Sequence, residues 1–348
     1  MRRPMFPMLP RGARSPAPSF AVDLGTANSL VSARGRGIVV DTPSVLALDA
    51  ATSRVLAVGE TARAMLVSTP PGVVVAQPLR DGVIHDLPQA VAMLRSLLER
   101  AQSHRLHRRP RVAICVPSGA TDVERSALRA AAAGAGAREP VLLIDEPLAA
   151  AFGLGADPEP TVTAQLVVDI GGGTTEVAIV SAGTVVVSES MRVAGNEMDE
   201  AIARWVRMEH HLAIGLITAE SLKCRLASVS ETGEHLEATG LDLATSAPRT
   251  VVLGPAELLE VLAPITRAIV DAVAEVLERT PPDLLADVLA AGVALTGGGS
   301  LLPGLVEQVE ARLEIPAWRA PDPLISVVRG AQRLIDHPAA YRELARSA

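Results

Sequence analysis

Aromatic residues are almost absent from the chain: Phe, Tyr and Trp together make up 2% of its 348 positions. A core must therefore be built from Ala, Val and Leu, which suits helices packed on sheets. Only two cysteines are present, Cys115 and Cys224, and their spacing fits no metal or redox motif. Both are expected to be buried free thiols of a reducing compartment. No apolar run approaches the roughly 18 residues that cross a bilayer. The N-terminus also lacks the uninterrupted apolar stretch of a secretory signal. Cationic excess is missing too. With 32 Lys and Arg against 39 Asp and Glu, the net charge of −7 argues against a general nucleic-acid binder. What remains is the composition of a soluble globular protein, 49% apolar and long enough for two domains.

Against this background one stretch stands out, residues 166–176, LVVDIGGGTTE. Leu166, Val167 and Val168 read as a buried strand, which breaks at Asp169 into Gly171, Gly172, Gly173, Thr174 and Thr175 and resumes at Val177. Glycines without a Cβ let backbone N–H groups approach an anion. A carboxylate at the strand end suits a hydrated magnesium ion carrying phosphates. A glycine-rich hairpin with a solvated Asp is the plainer alternative.

The motif occurs twice. Residues 22–28, VDLGTAN, lie 146 positions upstream and superimpose without a gap: Asp23 on Asp169, Gly25 on Gly171 and Asn28 on Thr174. The register runs on through Leu30 and Val31 against Glu176 and Val177, and Gly37 against Gly183. Two copies at this spacing indicate a duplicated domain rather than a solenoid. Two such halves can clamp one polyphosphate between them.

Around the copies the pattern alternates strands and helices. Helices are expected at 60–66, 88–101, 121–133, 194–210, 218–226 and 257–279, with Thr218 as a cap. Strands are expected at 45–48, 111–116, 141–144 and 293–295. The strand at 141–144 delivers Asp145 and Glu146 into a helix opening on Pro147. Glu146 there either orients a water attacking a γ-phosphate or caps the helix. Glu220 and Lys223 share a helix face, as a ligand pair or as a surface ion pair. A third strand–glycine–helix junction, Thr296 to Gly304, would let a flat base or ribose lie on bare backbone. The polar stretch 157–163 marks a domain boundary. Residues 228–250 read as a loop or short hairpin, and 321–335 as a loop and a final helix packing back on the first domain. The leader, residues 1–19, carries four arginines, five prolines and no acid. It is either a disordered tail or a peripheral tether, with Met5, Phe6, Met8 and Leu9 inserting beside Arg2, Arg3 and Arg11. The basic loop 101–111 with Leu106 at its tip offers a second membrane contact or a plain solvated loop.

Taken together, DLGTANSLV, GRGIVV, RDGVI, CVPSG, DEPLAAA, VVDIGGGTTEVAIVS, RVAGNEMDEAI, TPPDLLADV and LTGGGSLLPGL cover residues 20–335 almost continuously. On these strings the chain resembles the actin-like ATPase superfamily, and within it the bacterial MreB and Mbl family. The resemblance implies an α/β actin-like fold, two duplicated domains with ribonuclease H-like cores around a nucleotide cleft. Domain I would span 20–157 plus about 321–340, and domain II 158–320. It implies that Thr26, Ala27 and Asn28 form the first phosphate loop and Gly171, Gly172 and Gly173 the second. Asp23 and Asp169 would serve Mg2+ through water. Glu220, Ser221, Leu222 and Lys223 would hold ribose and adenine, Gly297, Gly298, Gly299 and Ser300 would close over the nucleoside, and Glu146 would position the hydrolytic water.

The function so implied is a slow Mg-dependent ATPase coupled to self-assembly into filaments. These would be cytoplasmic, peripheral at the inner face of the membrane, and would work with the cell-wall elongation machinery to set cell shape. The alternatives are a non-polymerising paralogue acting as a nucleotide-dependent partner, a chaperone-type ATPase, which would normally add a substrate-binding module, and a small-molecule kinase, for which no substrate base is evident. The sequence departs from the family at Asp145, where Glu is usual, at Cys224 and Arg225, and in the altered stretch 228–240.

Overall fold

The computed structural model describes residues 19–102, 109–155, 163–227 and 235–337. The leader, the tip of the basic loop and most of the link at 157–163 lie outside these residues. The first half runs β1 (Ser19–Leu24), β2 (Asn28–Ala33), β3 (Gly37–Pro43), β4 (Leu46–Asp49), β5 (Val55–Val58), α1 (Glu60–Val67) and β6 (Val73–Ala76). It continues through β7 (Leu79–Arg80), β8 (Val83–Ile84), α2 (Leu87–Ala101), β9 (Arg111–Val116), α3 (Asp122–Gly134), β10 (Arg138–Asp145) and α4 (Glu146–Gly153). The second half has β11 (Gln165–Ile170), β12 (Thr175–Ser181), β13 (Thr184–Met191), α5 (Gly195–Glu209), β14 (Leu212–Ala213), α6 (Leu216–Leu226), β15 (Leu236–Asp242) and β16 (Pro248–Leu253). Then follow α7 (Pro255–Glu278), α8 (Pro282–Ala291), β17 (Val293–Thr296), α9 (Leu305–Leu313), β18 (Ala317–Arg319) and α10 (Ser326–Asp336).

The repeat read from sequence is a repeat in space. One five-stranded sheet has the order β10-β9-β1-β2-β3 and the other β18-β17-β11-β12-β13. In each, the strand with Asp at its penultimate position is antiparallel to the next strand in the chain and parallel to a strand from further along. Asp23 and Asp169 thus hold equivalent places near the ends of equivalent strands. Each half also carries a small antiparallel sheet, β5-β4-β6 in the first and β14-β15-β16 in the second. The first small sheet has its own core of Val45, Ala47 and Ala62.

Local chemistry sets the helix ends. Thr121 caps α3 in a reciprocal box with Glu124, and Asp86 caps α2 through the Gln89 N–H with Pro88 in the first turn. Two expectations need correction, the cap of α6 and the burial of Cys224. α6 begins at Leu216 with Gly215 as its cap, so Thr218 lies inside the helix and not at its start. Pro281 and Pro282 end α7 but also open α8, because proline is compatible with a first helical turn. Cys115 is buried as expected, but Cys224 is exposed: Leu222 and Leu226 take the buried face of α6, and the residue midway between them points out. Among the described residues no helix is long and apolar enough to cross a membrane.

Between the two large sheets lies a pair of helices, α4 and α10. α4 is buried from Pro147 to Phe152 and joins one apolar cluster with Ala21 and Ile144 of the first sheet and Val167 and Ala178 of the second. The helices cross at backbone contact: a Cβ on Gly330 would stand 1.7 Å from the Ala149 carbonyl oxygen, and one on Gly153 would stand 1.9 Å from that of Ser326. Glycine is required there by space. Gly330→Ala should therefore force the helices apart and lower stability by about 3 kcal/mol, the upper range for overpacking. Urea unfolding of the variant checks this, and a change below about 0.5 kcal/mol would contradict the tight crossing.

Candidate functional site

Between the halves opens a cleft of about 500 Å3, lined by Asp23, Glu146 and Asp169, by both glycine turns and by α6. Its first wall is the turn from β1 to β2. The Ser44 hydroxyl donates to the Gly25 carbonyl at 2.6 Å, and the Ser44 N–H donates to that of Ala27 at 2.9 Å, holding the turn from behind. The Thr26 hydroxyl accepts from the Gly82 N–H at 2.9 Å. Opposite stands the turn from β11 to β12, closed by the Gly171 N–H donating to the Thr174 carbonyl at 2.8 Å. The turns abut: a Cβ on Gly172 would lie 2.7 Å from that of Ala27, and one on Gly173 would lie 2.6 Å from the Thr26 hydroxyl. Two loops rich in backbone N–H groups, each beside a strand-end carboxylate, thus face one space.

At the cleft base the charge is crowded. Burial pushes Asp23 up to about 6. Burial, with the charges of Asp23 and Glu176, raises Asp169 to about 8. Glu146 is raised well above the usual carboxylate range by burial and then by Asp23, Glu176 and Asp169. It stands in the first turn of α4, where Asp145 is the cap residue and no side-chain cap bond forms. Asp145 pairs instead with Arg125 at 2.6 Å. Glu146 lines the cleft from this first turn.

Glu176 escaped the sequence reading. It is the cross-strand neighbour of Asp169 and fully buried. Its carboxylate accepts from the Ser118 N–H at 3.0 Å, the Ser118 hydroxyl at 2.5 Å and the Ser190 hydroxyl at 2.5 Å. Ser118 belongs to the first half, so this acid ties the halves together. A signal existed: the first copy has Leu30 where the second has Glu176, an acid inside an apolar strand.

Glu220 and Lys223 both face the cleft but do not pair with each other. Lys223 Nζ donates to the Gly195 carbonyl at 2.7 Å and to Asp199 at 2.9 Å, while Glu220 accepts from Arg63 of the first half at 2.6 Å. Burial raises Asp199 to about 6, against the pull of Lys223. Gly297, Gly298 and Gly299 line the cleft, braced by the Gly297 N–H donating to the Pro323 carbonyl at 3.0 Å. Three expected residues do not line it. Leu222 is in the core, Ser221 is exposed on another face of α6, and the Ser300 hydroxyl turns back to the Gly297 carbonyl at 2.7 Å. Arg63, Gly82 and Cys224 are lining residues that sequence alone did not mark. Among the described residues no three His, Cys, Asp or Glu side chains converge closely enough to ligate a metal directly. A second cavity, about 570 Å3 beside α10, is lined mainly by Arg329, Arg333, Gln332 and two isoleucines and has no glycine turn of this kind.

Comparison with known proteins agrees with this geometry. The family model described as MreB/Mbl protein matches residues 17–343. The cell shape-determining protein Mbl of Bacillus subtilis is 40% identical over 324 residues, covering 92% of this chain and 96% of the relative. The cell shape-determining protein MreB of Escherichia coli is 44% identical over 324 residues, covering 91% and 93%. The crystal structure of MreB5 of Spiroplasma citri bound to ADP superimposes with a TM-score of 0.87 at 33% identity, covering 94% of this chain and 98% of that one. The AMPPNP-bound form of MreB5 gives the same score. The fold is thus the actin-like ATPase fold, with two duplicated α/β halves about a nucleotide cleft.

The raised Asp169 has a consequence for stability. Between about pH 4 and pH 8 the folded protein holds a proton that the unfolded chain has released, so stability falls as pH rises across that window. Asp169→Asn removes this slope. In urea unfolding without nucleotide it should gain about 1–3 kcal/mol over the wild type at pH 8 and much less at pH 5. An equal difference at both pH values would contradict the assignment.

Proposed function

The chain belongs to the MreB/Mbl family, and from that premise we propose that it binds ATP and assembles into membrane-associated filaments that organise wall synthesis and set cell shape. The observation that carries the nucleotide reading is the meeting of two equivalent turns, Gly172 against Ala27, each following a strand that carries an Asp near its end. Thr26, Ala27 and Asn28 then hold phosphate from one side and Gly171 to Gly173 from the other, by backbone N–H groups. Glu220 and Lys223 take the ribose and adenine, and Gly297 to Gly299 cover the nucleoside. We assign residues 20–157 with about 321–340 to the first domain and 158–320 to the second. The return of α10 onto α4 and β1 supports that division.

Mg2+ fits the base of the cleft because Asp23, Asp169, Glu146 and Glu176 crowd charge there with no cation of the protein among them. Bound with the nucleotide, it would neutralise that charge and polarise the terminal phosphate. Asp23 and Asp169 are the residues that would hold it, through water. Glu146, on the rigid start of α4, accepts a hydrogen bond from the attacking water and orients it. Backbone braced by Ser44 and Gly195 keeps both loops in place while this happens.

Membrane attachment has a geometric support. Ser19, where the leader joins β1, stands opposite Arg111, where the basic loop joins β9, and Arg36 ties that edge to the Ala101 carbonyl at 2.9 Å. Both basic segments therefore leave the fold at one edge and can meet one anionic surface together. Sedimentation with Mg-ATP, with and without anionic liposomes, tests the reading. Filaments on lipid are expected by electron microscopy, with a smaller lipid-bound fraction when residues 1–19 are deleted. Glu146→Ala should still assemble but hydrolyse ATP at least about 100-fold more slowly. ATP binding without polymer under every condition would contradict the filament reading.

A further inference from the structure

We propose that Arg63 is the latch of the cleft, closing it across Glu220 and thereby limiting how fast nucleotide leaves. The inference rests on the nucleotide reading above and adds a residue and a rate to it. Arg63 lies on α1, which is rooted through Ala62 and Met65 in the small core of the β4–β6 sheet. Glu220 lies on α6, whose Ala219, Leu222 and Leu226 belong to the core of the second half. The two side chains come from separately packed units 157 residues apart, yet meet at 2.6 Å, each about 30% exposed. Among the ion pairs between described residues, this is the one that joins the small first-half sheet to the second half.

The pairing is selective. Lys223 is the only lysine in the sequence and lies three residues from Glu220, one turn of α6 away. It is turned to Asp199 and the Gly195 carbonyl, both in its own half, and so pins α5 to α6. That leaves the cation of the opposite wall as the partner of Glu220. Arg63 engages Oε2 of the carboxylate, so Oε1 keeps its lone pairs for ribose hydroxyls. The latch and the ribose contact can therefore coexist, and the guanidinium, with its fixed fork of donors, also orients the carboxylate that meets the sugar. A nucleoside seated behind this pair leaves only when the pair opens.

Two readouts test this. Spin labels on Leu216→Cys of α6 and Val67→Cys of α1, both exposed positions, report the width of the cleft in nucleotide-free protein carrying Cys224→Ser. Arg63→Ala should broaden and lengthen that distance, and the charge-reversed pair Arg63→Glu with Glu220→Arg should narrow it again. Dissociation of a fluorescent ATP analogue should be roughly three- to ten-fold faster in Arg63→Ala, with Arg63→Lys between. An unchanged label distance, or an unchanged dissociation rate, would overturn the latch. Wild-type protein that binds no analogue would overturn the nucleotide reading instead, and the label distances, which need no nucleotide, tell the two failures apart.

Discussion

Like-charged side chains held close at the base of the cleft set the terms for the rest of this structure. Asp23 and Asp169 lie near the ends of equivalent strands of two sheets, Glu146 opens the helix between those sheets, and Glu176 lies across the ladder from Asp169. Their positions follow from the duplicated backbone, not from any attraction between them. Hydrogen bonds from Ser118 and Ser190 offset part of the cost for Glu176 alone. The other three are left to neutralise by protonation or by a bound cation. A fold that crowds acids in this way is poised for a ligand carrying positive charge, and in the function proposed above the facing glycine turns would supply donors for the anion accompanying it.

Rigid packing makes that poise possible. α4 and α10 are wedged between the two sheets and cross where glycine permits backbone contact. The wedge fixes the start of α4, and with it Glu146, relative to both strand-end aspartates. The outer parts of the halves are joined less tightly: the small β5-β4-β6 sheet has its own small core and reaches across to α6 through Arg63. Motion is thus expected at the mouth of the cleft and not at its base.

Much of this was legible in the sequence because the repeat is covalent in origin and gap-free. The superposition of Asp23 on Asp169 predicted two equivalent sheets, and their strand orders match. Apolar periodicity placed α2, α5 and α7 to within a few residues. Short strands such as β14 and β18 carry too few residues for a period, and α8 hid behind a proline pair that both ends one helix and begins the next. Partners across the cleft were not legible. Glu220 and Lys223 share a helix face, and only the tertiary fold sends one to Arg63 and the other to Asp199.

The central claim is that the crowded acids discharge into a magnesium-bound nucleotide. It is tested most directly by calorimetric titration of magnesium-saturated ATP into nucleotide-free protein at pH 7, in buffers of different ionisation enthalpy. With Asp169 at about 8 in the empty cleft, binding is predicted to release about one proton per nucleotide, so the observed enthalpy should vary with the buffer. Binding with an enthalpy independent of buffer would mean that no proton leaves, and would contradict the account.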